Sequence, residues 1–196
     1  SGRFRRYVHD ARQSRSLPSN RISKLHVGRN GRLWVGSFDR GLSRFDGDEV
    51  GFRQFRAGAP ASGGLSNPDV RAVFEDDAGR LWVGTANGLN LLEPSSSRFV
   101  RYDRDPADGA SLRDSYVMSL FQDRAGLLWV GTRFGGVSRW NPRSWSFGHR
   151  PTSTTRNAQP MAFAADAGGR LWVGTLGAGL LRFDPTSGEV LPAEQV

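Results

Sequence analysis

The residues best equipped to hold a ligand are two clusters of arginine and phenylalanine. Phe38-Asp39-Arg40 and Arg133-Phe134 each follow a Leu-Trp-Val-Gly phrase ending in Ser37 or Thr132. A guanidinium fork pairs bidentately with a carboxylate or sulfate. The neighbouring ring offers a flat apolar face to a sugar or a peptide side chain. Catalytic chemistry is poorly provided for. His9, His26 and His149 are the three histidines, and none has a second histidine at metal-ligand spacing. Gly-x-Ser-x-Gly and Gly-x-x-x-x-Gly-Lys are both missing. Cysteine is absent, which excludes a disulfide framework, a zinc-thiolate site and a thiol nucleophile. Asp76, Asp123 and Asp166 stand at equivalent turns. One carboxylate per turn is too few for calcium, and an Asx-turn acceptor is the expected role. An active site needs one copy, so repetition speaks for structure.

The elements that carry these residues are repeats. Leu33-Trp34-Val35-Gly36 recurs as Leu81-Trp82-Val83-Gly84, Leu128-Trp129-Val130-Gly131 and Leu171-Trp172-Val173-Gly174, at intervals of about 45 residues. A glycine turn precedes each phrase, and another follows it. An alternating segment comes next, such as Leu89-Asn90-Leu91-Leu92-Glu93, and then a further strand such as Arg98-Phe99-Val100-Arg101-Tyr102. Each unit reads as four short antiparallel strands joined by hairpins. Four-stranded units at this period signify a β-propeller, and the 3.6-residue apolar spacing of a helical solenoid is missing. Within each phrase Leu and Val face one side, Trp and Gly the other. The tryptophans are therefore expected between blades, and Gly84 to make room for a side chain of the next blade.

Composition agrees. Glycine supplies 25 of 196 residues, well above the usual ~7%. Lys24 is the single lysine, and arginine carries the net charge of +8. Arginine is scattered, clustering only at Arg3, Arg5 and Arg6, which argues against a nucleic-acid face. No apolar run approaches the ~18 residues of a membrane helix, and residues 1–20 contain no signal-peptide core. Any export signal or anchor is therefore expected outside this chain.

The phrase Asp-x-x-Gly-x-Leu-Trp-Val-Gly-Thr, seen at Asp76 to Thr85, resembles the two-component regulator propeller repeat, as does the connector Asp103 to Leu112. Ser16-Leu17 and Leu65-Ser66 echo that connector. The first copy departs, with Gly28 in place of the aspartate and Ser37 in place of the threonine. The repeats count as an all-β propeller of four four-stranded blades at 20–56, 69–103, 115–150 and 160–196; sensor propellers of the family normally have many more, so a piece of a longer array is expected, the alternative being a ring closed by an extra N-terminal strand. An extra outer strand is expected within residues 1–8, because Phe4-Arg5-Arg6-Tyr7 matches Phe99-Val100-Arg101-Tyr102. The last blade is expected to keep a fourth strand at Glu189 to Ala193.

In function, the resemblance implies the extracytoplasmic, periplasmic sensor portion of a membrane-anchored signalling protein. The family's usual downstream parts are an immunoglobulin-like domain, a transmembrane helix, and a histidine kinase or diguanylate cyclase. No catalysis and no cofactor are expected. A scaffold propeller is a second reading, although no Trp-Asp dipeptide occurs. Sialidase-like and virginiamycin-lyase-like enzymes are others, and the Asp-box match at Asp77 to Trp82 is not kept across copies.

Connectors and the turns between second and third strands share one rim of a propeller. That rim is expected to hold Phe38, Asp39, Arg40, Asn87, Arg133, Phe134 and Leu176 from turns, with Arg113, Tyr116 and Arg156 from connectors. The expected ligand is a carbohydrate or another anionic small molecule; a merely solvated rim is the bland alternative. Self-association through exposed end blades is also expected.

Overall fold

A computed structural model describes residues 4–141, 146–150, 158–184 and 190–191. Blade 1 comprises β1 (Ile22–Val27), β2 (Leu33–Ser37), β3 (Leu42–Phe45) and β4 (Phe52–Phe55). Blade 2 comprises β5 (Val70–Glu75), β6 (Leu81–Thr85), β7 (Gly88–Leu92) and β8 (Phe99–Tyr102). Blade 3 holds β9 (Val117–Gln122), β10 (Leu128–Thr132), β11 (Gly136–Asn141) and β12 (Ser146–Arg150). Blade 4 holds β13 (Gln159–Ala165), β14 (Leu171–Leu176), β15 (Leu180–Phe183) and β16 (Val190–Leu191). Each blade is one antiparallel sheet with its strands in chain order. The first strands of successive blades neighbour one another, as the innermost strands of a propeller must.

The repeated phrase builds each blade. Its Leu and Val pack toward the preceding blade, and its Trp and Gly toward the next. Leu81 and Val83 of blade 2 share a core with Trp34 and Leu42 of blade 1. Trp82 joins Leu128, Val130 and Trp140 of blade 3. Trp129 joins Leu171, Val173 and Phe183 of blade 4. Trp82 and Trp129 are fully buried, whereas Trp172 is only half-buried. The expectation of three equivalent tryptophans therefore fails at Trp172. Its ring faces away from blade 3, where among the described residues no further blade covers it.

Aspartate locks the first hairpin of three blades. Asp76 Oδ1 accepts from the backbone N–H groups of Ala78 and Arg80 at 3.0 and 2.9 Å, the expected Asx geometry. The other oxygen accepts from Trp82 Nε1 at 2.8 Å, a bond not anticipated from the sequence. Trp129 donates to Asp123 and Trp172 to Asp166 in the same way, at 2.7 and 3.2 Å. Gly79 closes this turn at φ 73°, a conformation in which a β-carbon is strained. At the opposite end, the hydroxyls of Ser37, Thr85, Thr132 and Thr175 donate to the carbonyls of Gly41, Gly88, Gly136 and Gly179. Ser37 thus performs the threonine's task.

Residues 4–8 form no strand, contrary to expectation. Side chains hold this segment instead of a ladder. Arg5 and Tyr7 both bond Asp48, and the Tyr7 ring packs edge-on against Phe45 and Phe52. The fourth strand of blade 4 spans Val190–Leu191; residues 189, 192 and 193 of its expected span lie outside the described residues.

Asp103 follows β8 and is exposed as a residue, yet partial desolvation of its carboxyl by the surrounding protein raises it above the usual 3.8; Arg101 partly offsets this. Its folded pKa exceeds its unfolded value, so the charged form burdens the fold as pH rises above about 3.8. Asp103→Asn is therefore expected to raise the melting temperature at pH 7 and to leave it unchanged below pH ~3.5. Thermal melts across pH would check this, and a loss at neutral pH would refute it.

Candidate functional site

Position on the rim follows from one hydrogen bond repeated in three blades. The residue after the second strand donates its N–H to the carbonyl of the residue preceding the first strand. These bonds are Phe38 to Arg21 at 3.0 Å, Ala86 to Asp69 at 2.9 Å and Arg133 to Tyr116 at 2.9 Å. They carry the ladder one step beyond each sheet and place connector and turn side by side.

A β-bulge then supplies the link between blades. Register shifts between Val70 and Ala72, leaving Arg71 as the extra residue. Bulges re-aim a side chain, and here the Arg71 guanidinium reaches the rim. It lies 4.9 Å from the Phe38 ring centroid of blade 1 and 5.5 Å from that of Tyr116 in blade 3. Arg133 continues the stack at 5.1 Å from Tyr116 and 5.0 Å from Phe134. Arg21 begins it at 6.0 Å from Phe38. Cations and rings alternate in the order Arg21, Phe38, Arg71, Tyr116, Arg133, Phe134. Each contact at this range contributes roughly 0.5–1 kcal/mol where exposed, so the stack fixes side chains as well as presenting them.

The three cations differ electrostatically. Arg71 pairs with Asp69 at 2.6 Å, and Arg21 with Asp39 at 3.7 Å. Burial opposes the Arg71 charge, yet its bond to Asp69 and its neighbour Tyr116 hold the guanidinium above its ordinary value. Among the described residues, Arg133 pairs with no carboxylate within 4.0 Å. Asp114 stands nearby, but its oxygens accept from the backbone N–H groups of Tyr116 and Phe134. Asp39 Oδ1, Asp69 Oδ1 and Arg71 Nε are buried and make no hydrogen bond within the protein. Buried polar atoms of this kind call for a partner such as water or a ligand group.

Of the sequence candidates, Phe38, Asp39, Tyr116, Arg133 and Phe134 come together here. Arg40 and Asn87 lie exposed on the turns outside the stack. Leu176, expected on a turn, is the exposed last residue of β14 in blade 4. Arg113 lines a separate cleft of about 340 Å³ on the blade 2–3 connector, together with Arg104, Asp105 and His149. Arg156 lies outside the described residues. Arg21, Asp69, Arg71 and Asp114 were missed. The one available signal was Arg71, a charge set between Val70 and Ala72 in an inner strand. His26 in β1 is partly buried at 6.5 Å from Phe74. That burial lowers its pKa although Glu75 pulls the other way, so it reads as a packed histidine.

Among the described residues no helix is long and apolar enough to cross a membrane, and no group of His, Asp and Glu could hold a metal ion. The two component regulator propeller family matches residues 16–39, 64–87 and 111–134. A curated histidine kinase P4 of Formosa agariphila is 31% identical over 64 residues, which are 33% of this chain and 5% of that protein. The extracellular domain of a hybrid two component system of B. thetaiotaomicron superposes with a TM-score of 0.79 at 23% identity, covering 89% of this chain and 25% of that one. The extracellular domain of a one component system from the same organism gives 0.73 at 18% identity, over 95% and 33%. Virginiamycin B lyase of Staphylococcus aureus gives 0.67 at 17%, over 90% and 57%. The propeller fold is thereby shown. The chain spans a quarter to a third of the two extracellular domains, and a twentieth of the kinase.

Proposed function

We propose that this chain is a non-catalytic, ligand-sensing propeller segment of a membrane-anchored bacterial signalling protein, working on the periplasmic side and passing its signal to a cytoplasmic output domain. Three matched regulator repeats, and the likeness to extracellular domains of signalling systems, support that class. The observation that carries the ligand-binding part is the rim stack, whose exposed Arg133 is held between two rings without a carboxylate partner. A fork fixed in this way suits a carboxylate or sulfate on the ligand. The free side of Phe134, 76% exposed, suits a sugar ring. An acidic oligosaccharide combines both features.

Titration calorimetry with acidic and neutral oligosaccharides tests the assignment. Arg133→Ala is expected to weaken binding of the acidic ligand at least tenfold, about 1.4 kcal/mol, with the melting temperature lowered by only a few degrees through the two lost ring contacts. Arg40→Ala, outside the stack, is expected to change it less than twofold. Equal binding of neutral and acidic ligands, or full retention after Arg133→Ala, would remove the site from the rim.

A further inference from the structure

Two connectors of equal length pack against the outer strand of the blade that follows them. One runs from Phe55 to the buried Leu65, the other from Tyr102 to the buried Leu112. The same backbone bond pins each. Phe99 N–H donates to the Gly63 carbonyl and Phe147 N–H to the Ala110 carbonyl, at 2.7 and 2.9 Å. Gly58, Gly64 and Leu65 of the first connector thus correspond to Asp105, Ser111 and Leu112 of the second. Two residues after these phenylalanines stand Arg101 in β8, opposite Asn90, and His149 in β12, opposite Ser138.

The two side chains treat their connectors differently. The Arg101 guanidinium fills its joint: it donates to the carbonyls of Gly58, Gly64 and Leu65 at 2.5, 2.8 and 3.0 Å, and its Nε adds a bond to Gly64 at 3.1 Å. His149 is shorter. Its Nε2 meets the Gly109 carbonyl at 3.1 Å and its Nδ1 the Ser138 hydroxyl at 3.2 Å. Where the guanidinium would lie, the second joint has the cleft of about 340 Å³ lined by Asp105, Ser111, Leu112 and His149. Small-molecule sites begin at about this volume. Asp105 and Asp108 each spend Oδ1 on a backbone N–H of the connector, of Ala107 and Ala110 respectively. Arg104 and Arg113 line the same cleft, and among the described residues neither pairs with a carboxylate within 4.0 Å.

We propose that this cleft is a second binding site, separate from the rim, for a small zwitterion of the arginine type. The ligand's guanidinium takes the place that the Arg101 guanidinium holds in the preceding joint, donating to connector carbonyls and to Asp105 and Asp108. Its carboxylate pairs with Arg104 and Arg113, whose forks match that group. A simple anion would leave the acidic half of the cleft without a partner, and a simple cation the basic half.

Titration calorimetry of the 196-residue chain with L-arginine, agmatine and L-citrulline tests it. Agmatine lacks the carboxylate, and citrulline ends in an uncharged carbamoyl group. Arginine is expected to bind, and the other two to bind roughly tenfold more weakly, each having lost one charge-assisted pair. His149→Arg supplies the guanidinium from the chain itself. It is expected to abolish arginine binding and to raise the melting temperature by a few degrees. Should that variant fail to fold, the paired change Arg104→Ala and Arg113→Ala on the exposed connector decides: arginine is expected to fall to the affinity of agmatine, and agmatine to stay as it was. Arg133→Ala on the rim is expected to leave arginine binding intact, so this site and the acidic-ligand site fail separately. No heat with millimolar arginine, equal binding of arginine and citrulline, or loss of arginine binding in Arg133→Ala would overturn the proposal. So would full arginine binding by His149→Arg or by the paired arginine variant.

Discussion

Replacing Trp82 by alanine is expected to destabilise the chain by about 3–5 kcal/mol, the usual cost of removing a large buried aromatic. Trp82 is fully buried. Its ring meets Trp140 edge-on at 4.8 Å and Tyr102 at 5.8 Å, so the cavity would open between blades 2 and 3, where strands rather than loops would have to move. Its Nε1 also anchors Asp76, whose buried oxygen would lose a donor. Trp172→Ala provides the internal control. The same residue in the same phrase is half-buried at the uncovered face of blade 4, and its loss is expected to cost less than half as much. Urea unfolding followed by fluorescence measures both. Equal losses would mean that blade packing is not what holds these rings. In an array whose units touch only their neighbours, the difference between the variants reports the joint and not the blade.

The origin of that difference was half legible in the sequence. The alternation Leu-Trp-Val-Gly stated which residues face the neighbours, and the glycine stated that a neighbour comes close. It did not state which side each neighbour takes, because alternation defines two faces without orienting them. The aspartate repeated in three of the turns points to an Asx-turn, while nothing in that reading gives the Asp-to-Trp bond six residues on. Yet Asp76/Trp82, Asp123/Trp129 and Asp166/Trp172 share that spacing. The rim was only partly legible. Turn residues such as Phe38 and Arg133 follow from the hairpin positions, whereas Arg71 reaches them through a bulge, and a bulge shifts the side-chain period that sequence patterns rely on. Phe4–Tyr7 was misread because it has a strand's composition, while its hold on the protein comes from Arg5, Tyr7 and Asp48.

Asp76→Ala is expected to cost about 3 kcal/mol, since it strands partners that cannot all reach water. The carboxylate is 1% exposed and accepts from Ala78 N, Arg80 N, Arg80 Nε and Trp82 Nε1, all within 3.0 Å. Arg80 retains partial access to solvent, with its side chain 25% exposed, so its share of the loss is modest. Trp82 Nε1 has no such escape and would be left as a buried donor. Asp76→Asn sharpens the test. Its carbonyl can serve the two backbone N–H groups, but its amide then points a donor at the indole N–H, so most of the loss is expected to remain. Asp76→Ala in a Trp82→Phe background is expected to cost markedly less, because the stranded indole N–H has been removed beforehand. Additive losses in that double-mutant cycle would show that the aspartate acts through the turn alone. Blade 1 illustrates the same balance from the other direction. Gly28 occupies the aspartate's place, and a β-carbon there would lie 2.5 Å from Glu75 Oε2 of blade 2, whose other oxygen accepts from Arg29 N–H. Restoring the repeat with Gly28→Asp would set two carboxylates against each other, so the substitution that sequence consensus recommends is expected to bring no gain in stability.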